Sequence, residues 1–472
     1  MTDARLAFVT DRFETDIVSV LEEYIAIPAK SPHFEPGWAE LGHIDRAVRL
    51  LESWAKSRPI AGLRSEVVRL PGRTPVILLE IPAFGVPASD DAVLLYGHFD
   101  KQPEMVGWEP DLGPWKPVRR GDRLYGRGGA DDGYAIFASL TAIEAVQASG
   151  GKHARCVVLI EGCEESGSYD LPFYVEHLLP RIGTPSLVVC LDSGAGDYER
   201  LWMTTSLRGL VAGTLRARVL EEGVHSGDAS GVVPSSFRVL RQLLDRIEDA
   251  STGRFLLSSF HTEIPALRRA QAQQAAALLG DDVWKKFPWA GSTRPMGTDN
   301  TELALARTWT PRLSVTGALG LPPIGSAGNV LRPETALKLS VRIPPGVDAQ
   351  SLSDELKAVL ERDPPSGAIV QFEADQAANG WHAPLERDWL QAALGEASRT
   401  HFGANAAYMG EGGTIPFMAM LGARFPQAEF VITGVLGPHS NAHGPNEFLH
   451  IPMAAKLAAC VADVLVRHTS RG

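Results

Sequence analysis

The stretch Val157-Val158-Leu159-Ile160-Glu161-Gly162-Cys163-Glu164-Glu165-Ser166-Gly167-Ser168 decides how the chain is read. Four apolar residues follow the Lys152–Arg155 segment and run into a glycine-containing loop. That is the pattern of a short buried strand and the turn that leaves it. Two adjacent carboxylates, Glu164 and Glu165, sit where the strand ends. Neighbouring side chains near a strand end diverge. One acid can therefore hold a metal while the other faces a water. Taken alone, the acidic pair reads as a solvated loop. The rest of the chain reverses that reading.

Other strands have the same form. Ala92–Tyr96 (AVLLY) is apolar throughout, as a strand covered on both faces must be, and it ends in Gly97-His98-Phe99-Asp100. Ser186–Asp192 (SLVVCLD) ends in a carboxylate, and Pro75–Ile81 is a further strand. Helices are expected over Phe13–Ile27, up to Lys56 from about Leu50, and over the alanine-rich Tyr134–Ala148. The last follows the turn Gly128-Gly129-Ala130-Asp131-Asp132-Gly133. Strands alternating with helices predict an α/β domain with a mostly parallel sheet and its function at the carboxyl ends of the strands.

Near Leu207 the pattern changes. Leu215, Ala217 and Val219 alternate with polar residues, as do Leu337, Leu339, Val341 and Ile343. With helices at Phe237–Ile247 and Leu352–Arg362 and strands at Leu313–Thr316 and Ala368–Glu373, the order is β-α-β-β-α-β, a ferredoxin-like α+β unit. Ala250–Glu302 reads as an insertion within it. After about Pro384 the first style resumes, with a helix at Asp388–Arg399, a strand at Glu429–Val435 and a closing helix at Ile451–Arg467. Residues 1–206 and 385–472 are thus expected to form one metal-binding catalytic domain, with 207–384 an inserted lid or dimerisation domain.

Composition narrows the function. The chain has 472 residues, 44% hydrophobic and 21% charged, an ordinary balance for a globular protein of two or three domains. A net charge of −11 without a basic stripe argues against a nucleic-acid partner. No apolar run is long enough to span a membrane, and the N-terminal residues do not have the form of a signal peptide. A cytoplasmic location is the expectation. The four cysteines are scattered, and Cys156 and Cys190 read as buried free thiols.

Acids and histidines collect at the predicted strand ends and adjoining loops: His98, Asp100, Asp131, Asp132, Glu164, Glu165, Asp192 and His443. Imidazoles and carboxylates in this mix are the donors expected for one or two zinc-class ions. Six carboxylates with few cations nearby would repel one another without a metal.

These motifs resemble those of the M20 family of metallopeptidases, in particular its carnosinase-like dipeptidase branch. The matching stretches are Tyr96–Asp100 with Gln102-Pro103, Gly126–Asp132, Glu161–Ser168, Asp192, Val224–Gly227, Ser340–Arg342, Glu411–Pro416 and Ala442–Glu447. The resemblance implies a site for two divalent ions, zinc first, with manganese or cobalt as alternatives. It implies His98 and Asp192 on one ion, Glu165 and His443 on the other, and Asp131 bridging them. Glu164 would be the general base and acid, and Asp100 would orient the His98 ring. His439 is the rival to His443, and the resemblance favours His443.

The resemblance also implies a homodimer formed through the inserted domain, in which His225 of one subunit serves the other's site. Arg342 would bind the substrate carboxylate. Asn329, His382, Gly413 and Thr414 fall near positions used for substrate. The expected reaction is hydrolysis of the peptide bond in dipeptides or similar small amides with a free carboxylate. The alternative is an amidohydrolase of the same fold acting on N-acyl- or N-carbamoyl-amino acids. A non-catalytic metal-binding protein is the reading from another class, and the intact Glu164 argues against it. The chain departs from the usual DDKG at Gly133 and Tyr134, and Asn329 stands where near relatives carry threonine.

Overall fold

A six-stranded sheet and the helices that cover it organise the first of two units in the computed structural model, which describes residues 2–471. The sheet order is Arg64–Val68, Val76–Ile81, Arg155–Glu161, Asp91–His98, Thr184–Cys190, Glu429–Ile432. Asp91–His98 pairs in parallel with both neighbours, and Glu429–Ile432 pairs in parallel with Thr184–Cys190. The other two strands are antiparallel. The sheet is therefore mixed, with the four-stranded parallel part that the apolar runs predict. Val93, Leu94, Leu95 and Tyr96 are all fully buried, which explains why this strand has no polar alternation.

The helix Tyr134–Ala148 is buried on every side from Tyr134 to Val146 and packs against the closing helix Ile451–His468. Its alanines permit that approach on all faces. The entry helix is longer than expected. Thr2–Arg12, Phe13–Ile17 and Val18–Ile25 run on from one another. Val9, Phe13, Ile17 and Leu21, four residues apart, are its fully buried stripe.

The chain divides into two units. The first comprises residues 1–205, 383–409 and 420–472, and the second 206–382 and 410–419. Its extreme ends, Met1 and Gly472, lie outside the described residues. The segment 410–419 thus groups with the second unit, whereas the sequence reading put it with the first. The physical reason is local: Arg208 donates from Nε to the Gly412 carbonyl at 3.2 Å, and Thr414 Oγ1 donates to the Arg208 carbonyl at 2.6 Å.

The second unit contains an antiparallel sheet in the order Arg312–Leu319, Glu334–Ile343, Gly209–Arg218, Ile369–Ala378. The helices Ser236–Leu244 and Ala349–Glu361 bury Val239, Leu240, Leu243, Leu352, Leu356 and Leu360 in its core. The predicted insertion forms the helix Ala266–Leu279 and shorter pieces. All four cysteines are free and buried, and all lie in the first unit. Among the described residues no helix is long and apolar enough to cross a membrane.

Candidate metal centre

His98 closes the central strand Asp91–His98. Gly97 before it is needed for packing: a Cβ there would lie 2.5 Å from the Ala135 Cβ and 2.7 Å from Asp132 Oδ2. The strand end is thereby held against the Asp131-Asp132 turn, and the His98 amide donates to Asp132 Oδ2 at 3.3 Å. On the ring, Nδ1 lies 3.1 Å from the Asp100 carbonyl and 3.5 Å from its carboxylate. Nε2 points the other way, 3.4 Å from Asp131, 3.8 Å from Asp192 and 4.0 Å from Glu164. That nitrogen is buried and has no hydrogen-bond partner.

The carboxylates arrive from three other chain segments. Glu164 and Glu165 sit on a single turn, Glu164–Ser166, after the strand Arg155–Glu161. Asp100 fixes that turn, because its two carboxylate oxygens accept from the Glu164 and Glu165 amides at 3.1 and 3.0 Å. Gln102 donates to Glu165 at 2.6 Å. His443 Nε2 reaches Asp131 at 3.0 Å and Glu165 at 3.3 Å. His443, rather than His439, is therefore the histidine beside the carboxylates. Its loop is strained: His439, Asn441, His443 and Asn446 all have positive φ, between 55° and 65°. A buried pair behind the site ties this loop to the glycine-rich turn. Arg127 pairs with Glu447, Glu447 accepts from the Gly128 amide at 2.8 Å, and Arg127 donates to the Gly444 carbonyl at 2.8 Å.

Electrostatics reflect crowding. Burial, then the Asp192 charge, raises Glu164 well above the usual carboxylate range. Burial and Asp131 push Glu165 up to about 8, and burial pushes Asp192 up to about 6. Burial would lower His98, but its contacts with Asp100 and Asp131 and the Asp192 charge outweigh that and raise it. The ligand atoms of His98, Asp131 and Glu165 gather within 4.8 Å of one another, as do those of His98, Glu164 and Asp192. A buried imidazole nitrogen without a partner, ringed by carboxylate oxygens and free of thiolates, fits a divalent cation.

The sequence pattern of peptidase family M20/M25/M40 matches residues 94–467. The chain belongs to that family. Among curated relatives it is 27% identical to the cysteinylglycine-S-conjugate dipeptidase of Corynebacterium striatum, over 77% of this chain and 79% of the relative. It is 24% identical to the Beta-Ala-His dipeptidase of Homo sapiens, over 87% and 82%. Its fold matches a di-peptidase of Saccharomyces cerevisiae with a TM-score of 0.79 at 21% identity, over 99% of each chain. It also matches human carnosine dipeptidase 1, with a TM-score of 0.78 at 20% identity, over 100% and 99%. The protein is thus a metal-dependent hydrolase of the M20 peptidases.

The remaining expected residues lie in the second unit. His225 is exposed and pairs with Val330 in a two-stranded ribbon, whose adjoining Asn329 carbonyl accepts from the Ser226 amide at 2.9 Å. Arg342 Nη1 donates to Thr414 Oγ1 at 2.9 Å. Thr414 spends its hydroxyl proton on the Arg208 carbonyl. His382 Nε2 accepts from Arg268 Nε at 2.9 Å, and burial with that guanidinium beside it lowers its pKa. Gly413 is exposed. Sequence reasoning missed the Arg127–Glu447 pair and the part played by Asp132. Asp132 carried a signal, its place beside Asp131. Arg127 and Glu447 both fall in stretches that carry the family resemblance, but their pairing, across 320 positions, left no local signal.

Proposed function

We propose that the protein hydrolyses the peptide bond of dipeptides, or of similar small amides with a free carboxylate. The observation that carries this reading is the unpartnered, buried Nε2 of His98 facing three carboxylates. The dipeptidases among its relatives support the substrate class.

His98 and Asp192 would hold one divalent ion, Glu165 and His443 the other, and Asp131 both. When bound, such a pair polarises the scissile carbonyl and acidifies a water. Glu164 takes the proton of the attacking water and returns it to the leaving amine. A raised pKa suits a group that must accept a proton and then hand it to the amine as the bond breaks. Asp100 is a positioning residue: it meets the His98 ring and fixes the amides of the Glu164-Glu165 turn together. Zinc is the first choice of ion. A nitrogen and oxygen donor set also suits manganese or cobalt.

The second unit would act as a ferredoxin-like lid and dimerisation domain, with 1–206 and 385–472 as the catalytic domain. Support comes from its outer strand, Arg312–Leu319, where Val315 and Leu319 are 49% and 60% exposed. An unpaired strand edge carrying apolar side chains invites a second copy. His225 would then donate to the developing oxyanion of the partner subunit's substrate, with Asn329 beside it. Arg342, His382 and the backbone amides of Gly413 and Thr414 would take the carboxylate end. A cytoplasmic location goes with this small-peptide role.

The test is a hydrolysis screen. Metal-free protein is reloaded separately with zinc, manganese and cobalt and offered a dipeptide panel and an N-acyl- and N-carbamoyl-amino-acid panel. Metal-dependent cleavage of dipeptides is expected. Cleavage confined to the acylated amino acids would overturn the dipeptidase reading.

A further inference from the structure

We propose that Arg208, Arg307 and Arg342 form an anion pocket in the second unit that selects dipeptides ending in aspartate or glutamate. The inference rests on the dipeptidase reading and goes beyond one arginine for one terminal carboxylate.

Three guanidinium-bearing residues converge on the loop Gly412–Thr414. Arg342, from the strand Glu334–Ile343, reaches Thr414 Oγ1. Arg208 donates from Nε to the Gly412 carbonyl and from Nη1 to the Thr310 carbonyl, at 3.2 and 3.4 Å. Arg307 comes from the helix Asn300–Thr308. A Cβ on Gly412 would lie 3.0 Å from the Arg307 carbonyl, 3.3 Å from its Cγ and 3.1 Å from Arg208 Nη2. Glycine at 412 is what lets the two side chains close on the loop.

The Arg208 and Arg342 charges are held in place but not neutralised. Arg208 is only 9% exposed and is held by neutral carbonyls. Arg307 Nε is buried with no hydrogen-bond partner. Among the described residues none of the three forms an ion pair within 4.0 Å, although Arg208 feels the charge of Glu411. Burial, then repulsion from Arg342, Arg307 and Arg312, pushes Arg208 down to about 9. Buried charges ordinarily have partners. Arg312 and Lys286 lie close enough to add to this positive field, so Glu411 and the terminal carboxylate of a dipeptide leave cations in excess. A second carboxylate on the C-terminal side chain reduces that excess, and it suits the forked geometry of a guanidinium.

The test uses the metal-loaded enzyme and two peptides of nearly equal shape, Ala-Glu and Ala-Gln. kcat/KM should favour Ala-Glu by about tenfold or more, chiefly through KM. Arg307→Met should bring that ratio towards one, and Arg307→Lys should keep part of it. A ratio near one in the wild type, or one unmoved by Arg307→Met, overturns the pocket. Stimulation of Ala-Gln cleavage by added phosphate, without preference for Ala-Glu, would also overturn it in favour of a free-anion site. Calorimetric binding of both peptides to the Glu164→Gln protein gives the same comparison without turnover. If neither peptide is cleaved by the wild type yet Ala-Glu binds better, the dipeptidase reading falls and the pocket stands. If both are cleaved and bound alike, the pocket falls and the reading stands.

Discussion

Glu164 and Glu165 share one turn and one pair of anchors, yet they face different neighbours. Glu165 meets His443 and Gln102, while Glu164 lies towards His98. Under the proposed roles, Glu164→Gln should abolish turnover and keep its metal, measured by elemental analysis of the purified variant. Glu165→Ala should lose metal. The reverse pattern would exchange the two assignments. Asp131 touches both histidines, at 3.4 and 3.0 Å, so Asp131→Ala should release both ions together. A variant that keeps a full pair would remove Asp131 from the bridge.

The metal-free protein offers a pH test at the same residues. Glu165 and Asp192 are raised to about 8 and about 6. A carboxyl group with a raised folded value keeps a proton that the unfolded chain has already lost. It costs stability progressively as pH climbs from about 4 towards the folded value. His98 is raised by its carboxylate neighbours, so its stabilisation is complete below about 6.5 and fades above it. His443 is raised to about 10, but its side chain is 56% exposed and solvent screens its share. All these groups push the same way. The melting temperature of metal-free protein should fall between about pH 5.5 and 8.5, and stabilisation by added metal should grow over the same range. A metal-free melting temperature that rises with pH would contradict the burial of these carboxyl groups.

At the scale of elements, the strand Asp91–His98 carries the most weight. Leu95 is fully buried between two parallel neighbours. Leu95→Ala should cost about 2–5 kcal/mol, read from denaturant melts of the metal-free protein. A loss well under that range would mean the sheet relaxes around the cavity. The same strand shows why so much was legible in advance. A run that is apolar on both faces has few places to go, and its polar end must emerge where the sheet stops. The apolar runs therefore placed His98, Glu164, Glu165 and Asp192 at strand ends, while the roles expected of them came from the family resemblance. The antiparallel edge of the sheet was harder, since Arg64–Val68 buries only Val68 and carries a weak apolar pattern. The grouping of 410–419 with the second unit was hidden for another reason. It depends on hydrogen bonds from Arg208 and Arg342 to the loop Gly412–Thr414, across 204 and 72 positions. No local periodicity encodes such contacts.

For the whole molecule, the proposed dimer gives the sharpest prediction. His225→Ala should lower kcat by roughly a hundredfold with metal content unchanged, the usual scale for losing an oxyanion donor. Mixing inactive His225→Ala with inactive Glu164→Gln, under conditions that exchange subunits, should restore activity. Each mixed dimer would own one site with an intact glutamate and an intact histidine. No recovery on mixing would place the histidine within its own subunit, and a fully active monomer would remove the dimer altogether.

The four buried cysteines make a different kind of experiment simple. Burial pushes the Cys156 thiol up to about 12 and raises Cys163, Cys190 and Cys460 as well. The folded chain should be nearly silent to alkylating reagents, and slow labelling of these thiols becomes a clock for opening of the first unit. Because the second unit has no cysteine, Ser314→Cys on the exposed strand Arg312–Leu319 would be the lone fast-reacting thiol. Its labelling rate against protein concentration would report directly whether another copy shields that edge.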